Sequence, residues 1–181
     1  MNNIKNNRYQ KTDQLIKDVF IELVETRGYS NVTVKDIVTR AKINRNSFYL
    51  HYQDKEDLID RMFFEVVSNQ EKEFLKLDQF GNIKKDAFNT FIDVVYEQIE
   101  FYRVLLKDPN LSGYFTRLEE KFKRYIRLKY NHNSFYSNVY INFKASGFLG
   151  ILKEWILFDR YSKEEMVELF NNELMLKKDT N

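Results

Sequence analysis

The chain has 181 residues, of which 43% are hydrophobic and 16% aromatic, enough for a substantial core and too apolar for intrinsic disorder. It has no cysteine, one proline and five glycines, so disulfides and thiolate metal sites are excluded and an all-β fold has almost no support. The formal net charge is +2, but residues 1–55 hold ten Lys or Arg against six Asp or Glu. This excess is small, and its sign is the one that a phosphate-bearing partner requires.

The N-terminus predicts a first helix behind a short arm. The opening residues are rich in Asn and Lys, and we expect a mobile arm from which Arg8 and Lys11 reach phosphates. A helix is predicted from a cap at Thr12 to Arg27, with Gly28 at the C′ position. No apolar signal core and no run near the ~20 apolar residues of a membrane span is present, so we expect a cytoplasmic protein with no membrane partner.

Two short helices are predicted directly after this first helix. Thr33 and Asp36 stand at capping-box spacing, and the apolar residues that follow them recur every three or four positions. Asn44 is a second cap and predicts a helix from Arg45 to about Tyr52. Helices joined by only three residues cross steeply, and the second then projects a polar edge that suits the DNA major groove. The side chains on that edge are Arg45, Asn46, Ser47, Tyr49 and His51.

A third cap, formed by Asp54 with Asp57, predicts a longer helix that links these short helices to the rest of the chain. The motifs so far are Gly28-Tyr29, Thr33-Val34-Lys35-Asp36-Ile37-Val38, Ser47-Phe48-Tyr49-Leu50-His51-Tyr52 and Lys55. Together they resemble the helix-turn-helix DNA-binding domain of the TetR/AcrR family of bacterial transcriptional regulators, over roughly residues 9 to 60. The family usually has Gly where this chain has Lys42 and commonly has Gly in place of Asn46, so a strained turn is expected at Lys42.

The resemblance implies a DNA-binding domain over residues 1–55 and a ligand-binding and dimerisation domain over residues 56–181. We expect Arg45, Asn46 and Ser47 to contact base edges. Phosphate contacts are expected from Thr33, Lys35, Tyr49, His51 and Lys55. The expected function is repression by a homodimer that binds an inverted-repeat operator in double-stranded DNA and is released by a small-molecule effector.

The second half predicts further helices and completes an all-α fold of about nine helices. Gly81-Asn82 marks a break, and the apolar pattern then predicts one helix over residues 83–107 that is stopped by Asp108-Pro109-Asn110. Further helices are predicted over Ser112–Tyr130 and Phe135–Phe158, with a polar loop at residues 131–134 between them. Ser162 with Glu165 forms a fourth capping box before the last helix.

Aromatic and small residues in this half suggest a pocket and an interface. The aromatic side chains could line a cavity for an apolar or aromatic effector, and they could equally be core or interface. They are Tyr96, Phe101, Tyr102, Tyr114, Phe115, Tyr136, Tyr140 and Phe143. The last two helices carry apolar surface on several sides, which a second copy of the chain or earlier helices of the same chain could cover. The interface candidates are Gly147, Gly150, Ile151, Trp155, Met166 and Phe170.

No constellation predicts an enzyme or a metal site. His51 and His132 lie far apart and have no second His or Cys at ligand spacing, so neither a metal nor a cofactor is expected. The chain has no phosphate-cradling Gly loop and no nucleophile elbow. Two competing functions stay open at this level. One is a helical small-molecule or lipid carrier that does not bind DNA, and the other is an enzyme built on a helical bundle.

Overall fold

The computed structural model describes residues 2–74, 87–130 and 135–173, and within these ranges the chain is helical with no strand, as the sequence predicts. The helices are α1 (Asn2–Arg27), α2 (Val34–Arg40), α3 (Arg45–Tyr49), α4 (Lys55–Phe74), α5 (Ala87–Glu97), α6 (Ile99–Lys107), α7 (Ser112–Tyr130), α8 (Phe135–Phe158) and α9 (Lys163–Glu173). Two 3₁₀ turns, Tyr29–Asn31 and Pro109–Leu111, follow α1 and α6. None of the described helices has the length and apolar character that a membrane crossing needs.

The first helix is longer than the sequence predicts. It begins at Asn2, so the expected mobile arm is helical, and Thr12 is not a cap. The Thr12 hydroxyl instead donates to the carbonyl oxygen of Arg8, one turn earlier, at 3.0 Å. The segment before Thr12 contains neither Gly nor Pro, and extending an existing helix fixes one residue per hydrogen bond, so the helix extends back to Asn2.

We call α1, α2, α3 and the first turns of α4 the head. Its core is made of fully buried side chains from all four helices, which are Ile16, Phe20, Ile37, Phe48, Leu58 and Ile59. Gly28 follows α1 with φ 77° and ψ 148°, a backbone conformation open essentially to glycine alone. The prediction of a glycine at the end of α1 is confirmed, and this glycine turns the chain into the 3₁₀ segment before α2.

We call α5 to α9 the bundle. The predicted helix over residues 83–107 is wrong in one respect, because it breaks at Gln98 into α5 and α6 although no Gly or Pro stands there. The physical reason lies in the packing: α5 lies against α4 and α9, whereas α6 lies against α1, α7 and α8. A helix with apolar residues on several sides is thereby divided between two sets of neighbours.

The head and the bundle share one continuous buried cluster, which runs from Ile16 in α1 through Leu105 in α6 to Trp155 in α8. The predicted boundary after residue 55 falls at the first residue of α4, whose first turns belong to the core of the head and which also packs against α5 of the bundle. The domain division stays a prediction. The predicted break at Gly81-Asn82 and the polar loop at residues 131–134 lie outside the described residues.

Candidate nucleic-acid interface

The capping box that starts α2 is confirmed. The hydroxyl of Thr33 accepts from the backbone N–H of Asp36 at 3.2 Å, and the Asp36 carboxylate accepts from the backbone N–H of Thr33 at 2.9 Å. Hydrogen bonds from the Thr33 side chain and backbone lower the pKa of Asp36, with a further contribution from Arg27. Arg40 at the other end of α2 pairs with Glu22 of α1. Both ends of α2 are therefore held by neighbouring side chains.

The turn between α2 and α3 has the strained residue that the sequence predicts. Lys42 has φ 54°. The N–H of Ile43 donates to the carbonyl oxygen of Val38 at 3.1 Å and the N–H of Lys42 to that of Thr39 at 3.3 Å. This is a Schellman ending in which Lys takes the place that Gly usually fills. The positive φ at Lys42 ends α2 and leads the chain to Asn44, the cap of α3.

The predicted cap of α3 is also confirmed. The Asn44 side-chain oxygen accepts from the backbone N–H of Ser47 at 2.7 Å and from its hydroxyl at 3.0 Å. Phe48 is fully buried and fixes the inner side of the helix. The helix ends at Tyr49 and not near Tyr52. The backbone N–H of His51 donates to the carbonyl oxygen of Phe48, three residues earlier, which is the tighter 3₁₀ pattern and not the α-helical one.

The outer rim of α3 faces solvent. Arg45 and Asn46 are exposed and Ser47 is half-buried, while Tyr49 keeps 46% of its surface. Leu50, which was not among the predicted contact residues, is 75% exposed at the end of this helix. The available signal was its place four residues after Asn46, on the same helical face.

Arg45 and Tyr49 also contact each other along this rim. The guanidinium Nε–H and Nη2–H both donate to the Tyr49 hydroxyl oxygen, at 3.1 and 3.0 Å. The guanidinium carbon lies 5.5 Å from the centroid of the Tyr49 ring. The side chain of Arg45 is therefore oriented before any partner arrives.

His51 does not stand on this rim, which corrects its predicted place on the polar edge. Its side chain is 3% exposed, its ring stacks on Tyr9 with centroids 3.9 Å apart, and its Nδ1 lies 3.4 Å from the Asp13 carboxylate. The physical reason is that the tight end of α3 turns residue 51 towards α1. In this position the imidazole packs between α3 and α1 and does not project from the rim.

Asp13 is the centre of a polar network behind α3. Its carboxylate accepts from the Tyr52 hydroxyl at 2.5 Å and pairs with Lys17 at 2.9 Å, and Lys17 also pairs with Glu65 of α4 at 2.6 Å. Burial opposes ionisation of Asp13, but the hydrogen bonds from Tyr52 and Lys17 lower its pKa overall. Burial, followed by the bond to Asp13, raises the pKa of Tyr52. The network fixes the end of α3 to both α1 and α4.

Lys55 begins α4, at the position predicted to meet a phosphate, and it already has partners. Its Nζ donates to the carbonyl oxygen of Tyr29 at 2.9 Å and lies 4.2 Å from the centroid of the Tyr29 ring. The backbone N–H of Tyr29 donates to the Asp108 carboxylate, in the turn after α6, at 2.5 Å. This contact between head and bundle has no signal in the sequence, because its partners are far apart along the chain.

The family now follows from the comparisons with known proteins. The sequence model of the tetR family of bacterial regulatory proteins matches residues 18–62, and that of a transcriptional regulator C-terminal region matches residues 82–175. The chain belongs to the TetR family. It is a helix-turn-helix transcriptional regulator of that family, and the all-α fold with an N-terminal reading head is confirmed.

Several individual regulators resemble the chain. The HTH-type transcriptional regulator YxbF of Bacillus subtilis is 22% identical over 169 residues, which cover 87% of this chain and 43% of YxbF. The chain thus spans less than half the length of that relative. DhaS, an activator of the dihydroxyacetone kinase operon, has a structure that matches with a TM-score of 0.60 at 19% identity, covering 89% of this chain and 92% of DhaS. A transcriptional regulator from Aquifex aeolicus matches with a TM-score of 0.62 at 21% identity, covering 90% and 97%.

The aromatic residues proposed for an effector pocket do not meet at one place in this TetR-family chain. Phe101, Tyr102 and Phe115 are buried in the core. Tyr114 is half-buried, donates to Asp60 of α4 at 2.7 Å, and has its pKa raised to about 12 by burial and then by that bond. Exposed positions are taken by Tyr96, Tyr140 and Phe143, and the side chain of Tyr136 lies outside the described residues.

A groove of about 300 Å³ does exist where α1 and α4 meet the α5–α6 junction. Phe101 is the one predicted pocket residue in its lining, which also holds carboxylates that an apolar effector would not match. These carboxylates are Asp18, Glu65, Glu97 and Glu100. Among the residues that the structure describes, no group of His, Cys, Asp and Glu could hold a metal ion.

The interface candidates divide into buried and exposed positions. Trp155 and Met166 are each 1% exposed and belong to the core of their own chain, so a second copy cannot reach them. Gly147 and Gly150 are exposed and Ile151 is half-buried, while the side chain of Phe170 lies outside the described residues. Two more exposed apolar residues, Val139 and Phe158, share this face of α8 and were not among the predicted interface residues.

Proposed function

We propose that this TetR-family regulator binds double-stranded DNA as a homodimer, with α3 of each copy in the major groove of one half of an inverted repeat. The observation that carries the proposal is the outward polar rim of α3 on a helix fixed from behind. Arg45 and Asn46 are exposed, whereas Phe48 is buried and Tyr52 is bonded to Asp13. A rim fixed in this way meets base edges without first having to order itself.

The proposed contacts divide between bases and phosphates. Arg45, Asn46 and Ser47 are proposed to reach base edges. Lys35 is exposed beside the first turn of α2, and a phosphate there would also meet the positive end of that helix. Further phosphate contacts are proposed for Thr33, Tyr49 and Lys55.

For the dimer, we propose that a second copy covers the exposed face of α8. This helix is apolar on both sides, with Phe148 and Leu152 in the core and Val139 and Phe143 exposed. On the same face, a Cβ added at Gly147 would meet nothing within 4 Å, so another helix can approach closely there.

The dimer is tested with two matched variants. Phe143 and Phe64 are 73% and 72% exposed, but Phe64 lies on α4. We expect Phe143→Glu to give a monomer in light scattering and to lose operator binding, while Phe64→Glu keeps both. A dimer that survives Phe143→Glu would rule out this face.

We further propose repression, because a dimer on an inverted repeat that overlaps a promoter excludes polymerase. Release by a small effector would need a coupling of only about 1 to 3 kcal/mol between effector and operator. A reporter gene fused to the bound promoter decides the sign of regulation. Expression that falls when the regulator is deleted would show activation instead.

The decisive experiment measures binding to duplex DNA from the region upstream of the gene as a function of salt. We expect binding at about 50 mM salt that weakens steeply towards about 200 mM. Lys35→Ala should weaken binding to every sequence and reduce the salt dependence by about one counterion. Lys123→Ala in α7 removes the same charge from the bundle and should change neither. Absence of duplex binding at low salt would favour the carrier that does not bind DNA.

A further inference from the structure

The contact between Arg45 and Tyr49 determines which part of the guanidinium remains for a partner. Nε–H and Nη2–H lie on the same side edge of the group, and both donate to the Tyr49 hydroxyl oxygen at 3.1 and 3.0 Å. The end edge, formed by Nη1 and Nη2, still offers two parallel N–H groups, because a guanidinium has five donors. Within the described residues, no hydrogen bond is made by Nη1.

Two parallel N–H donors at this spacing match one base edge in the major groove. Guanine presents two acceptors there, O6 and N7, and a bidentate arginine is its commonest specific partner. Adenine, thymine and cytosine each present a donor or a methyl group that breaks this match. The end edge of Arg45 is therefore suited to guanine.

The Tyr49 hydroxyl has a second function in this arrangement. Its oxygen accepts both N–H groups of Arg45, so its own proton is directed to a different acceptor. Accepting from a cation polarises the O–H bond and strengthens its donation. Because Tyr49 is 46% exposed on the outer rim, a DNA phosphate oxygen can take that bond.

We propose that Arg45 and Tyr49 act as one unit, in which Tyr49 bonds a phosphate and holds the Arg45 guanidinium so that its end edge reads a guanine in each half-site. This inference rests on the proposed function and names the base that the site selects. Tyr49 is the positioning residue. An arginine held in place loses less side-chain entropy on binding than a mobile one, so the preference for guanine depends on the hydroxyl.

The test starts from operators that the full-length protein selects from a randomised duplex library. Each guanine of the selected half-site is then replaced in turn, by adenine and by 7-deazaguanine, which lacks the N7 acceptor. Dissociation constants are measured for the wild type, Arg45→Ala, Tyr49→Phe and the double variant. Lys35→Ala is the control, and circular dichroism confirms that each variant is folded.

We expect one guanine at which the wild type discriminates by about 5- to 150-fold. Arg45→Ala should abolish discrimination at that base pair and at no other, and 7-deazaguanine should weaken the wild type but not Arg45→Ala. Tyr49→Phe should reduce discrimination at the same base pair at least about threefold, and the double variant should discriminate no better than Arg45→Ala. Lys35→Ala should weaken all sequences by one common factor.

Two results would overturn the inference while leaving the proposed function intact. One is a guanine preference that survives Arg45→Ala. The other is a Tyr49→Phe variant that weakens all sequences equally and keeps the full guanine ratio, since Tyr49 would then contact phosphate alone. If the wild type selects no duplex, the proposed function itself fails and this inference fails with it.

Discussion

The head and the bundle are stabilised by different kinds of contact. In the head, Thr33, Asn44 and Asp54 each cap a helix through a residue three positions later, at 3.2, 2.7 and 2.7 Å. The starts of α2, α3 and α4 are thus fixed by neighbours in sequence. The strained turn at Lys42 and the polar network at Asp13 then fix the position of α3 on the surface of the head.

In the bundle, aromatic rings from helices that are distant in sequence make stabilising contacts. Phe122 of α7 stacks on Phe148 of α8 with centroids 4.4 Å apart, and Phe91 of α5 lies 5.9 and 6.2 Å from them. Tyr96 stacks on Trp155 in the same way, at 6.2 Å. The difference teaches that the starts of α2, α3 and α4 are determined by neighbouring residues, while the bundle depends on contacts between helices that are distant in sequence.

The largest effect on stability is expected from a substitution in the bundle. Trp155→Ala removes a side chain that is 1% exposed, and we expect the free energy of unfolding to fall by about 3–5 kcal/mol in urea titrations. Because the buried cluster is continuous between the regions, one cooperative transition should remain. Phe64→Ala, at a 72% exposed position, should change stability by less than about 0.5 kcal/mol. Two separate transitions would show that the head and the bundle unfold independently.

The next effect concerns the polar network of the head and depends on pH. Asp13→Asn should lower the free energy of unfolding by about 1–3 kcal/mol at neutral pH, because Tyr52 and Lys17 lose a charged acceptor. The folded-state pKa of Asp13 lies below 3.8, the ordinary value for an Asp carboxyl group. The contribution of Asp13 to the free energy of unfolding is therefore present above that pH and is lost as the pH falls through the folded-state pKa.

In urea titrations, the difference in the free energy of unfolding between the wild type and Asp13→Asn should therefore narrow as the pH is lowered from about 7 to below 3.8. Asp18→Asn is the matched change on an exposed position of α1 and should change the free energy of unfolding little at neutral pH. A difference that grows below pH 3.8 would contradict the assignment of a lowered pKa to Asp13.

A pair of caps compares the two regions directly. Asn44→Ala and Ser162→Ala each remove the cap of one helix, in the head and in the bundle, and each should destabilise the fold by about 1 kcal/mol. We expect Asn44→Ala alone to weaken DNA binding, because it loosens α3. Equal binding by the two variants would mean that the position of α3 does not depend on its cap.

The smallest effect is expected at the strained turns, where it should be stabilising. Lys42→Gly relieves a φ of 54° and should raise the free energy of unfolding by about 0.5–1 kcal/mol. Asp159→Gly, at a φ of 52° after α8, should gain less because Asp tolerates this conformation better than Lys. Thermal melts compare the stability of the two variants. Destabilisation by Lys42→Gly would show that the Lys42 side chain makes a stabilising contact.

Much of the head could be predicted from its sequence because its determinants are short-range. The caps at Thr33 and Asn44 and the positive φ at Lys42 each depend on neighbouring residues. His51 was misplaced because its partners Tyr9 and Asp13 belong to α1, whose helical start the sequence did not predict.

The bundle was less predictable for the same physical reason. The break at Gln98 has no local signal, since it follows from the different neighbours of α5 and α6. Periodicity also showed that Trp155 and Met166 are apolar helix positions, but it could not tell the chain's own core from a surface for a second copy. The cap at Ser162, a local feature, was predicted correctly.

Tyr29 is held from opposite directions, by Asp108 through its N–H and by Lys55 through its carbonyl oxygen. Tyr29 thus links Asp108, in the turn after α6, to the side chain of Lys55, the first residue of α4. A shift of that turn must either drag the loop before α2 along or give up a charge-assisted hydrogen bond. A shift of that turn would therefore act on the segment that leads into α2, in addition to any change carried by the buried cluster that the head and the bundle share.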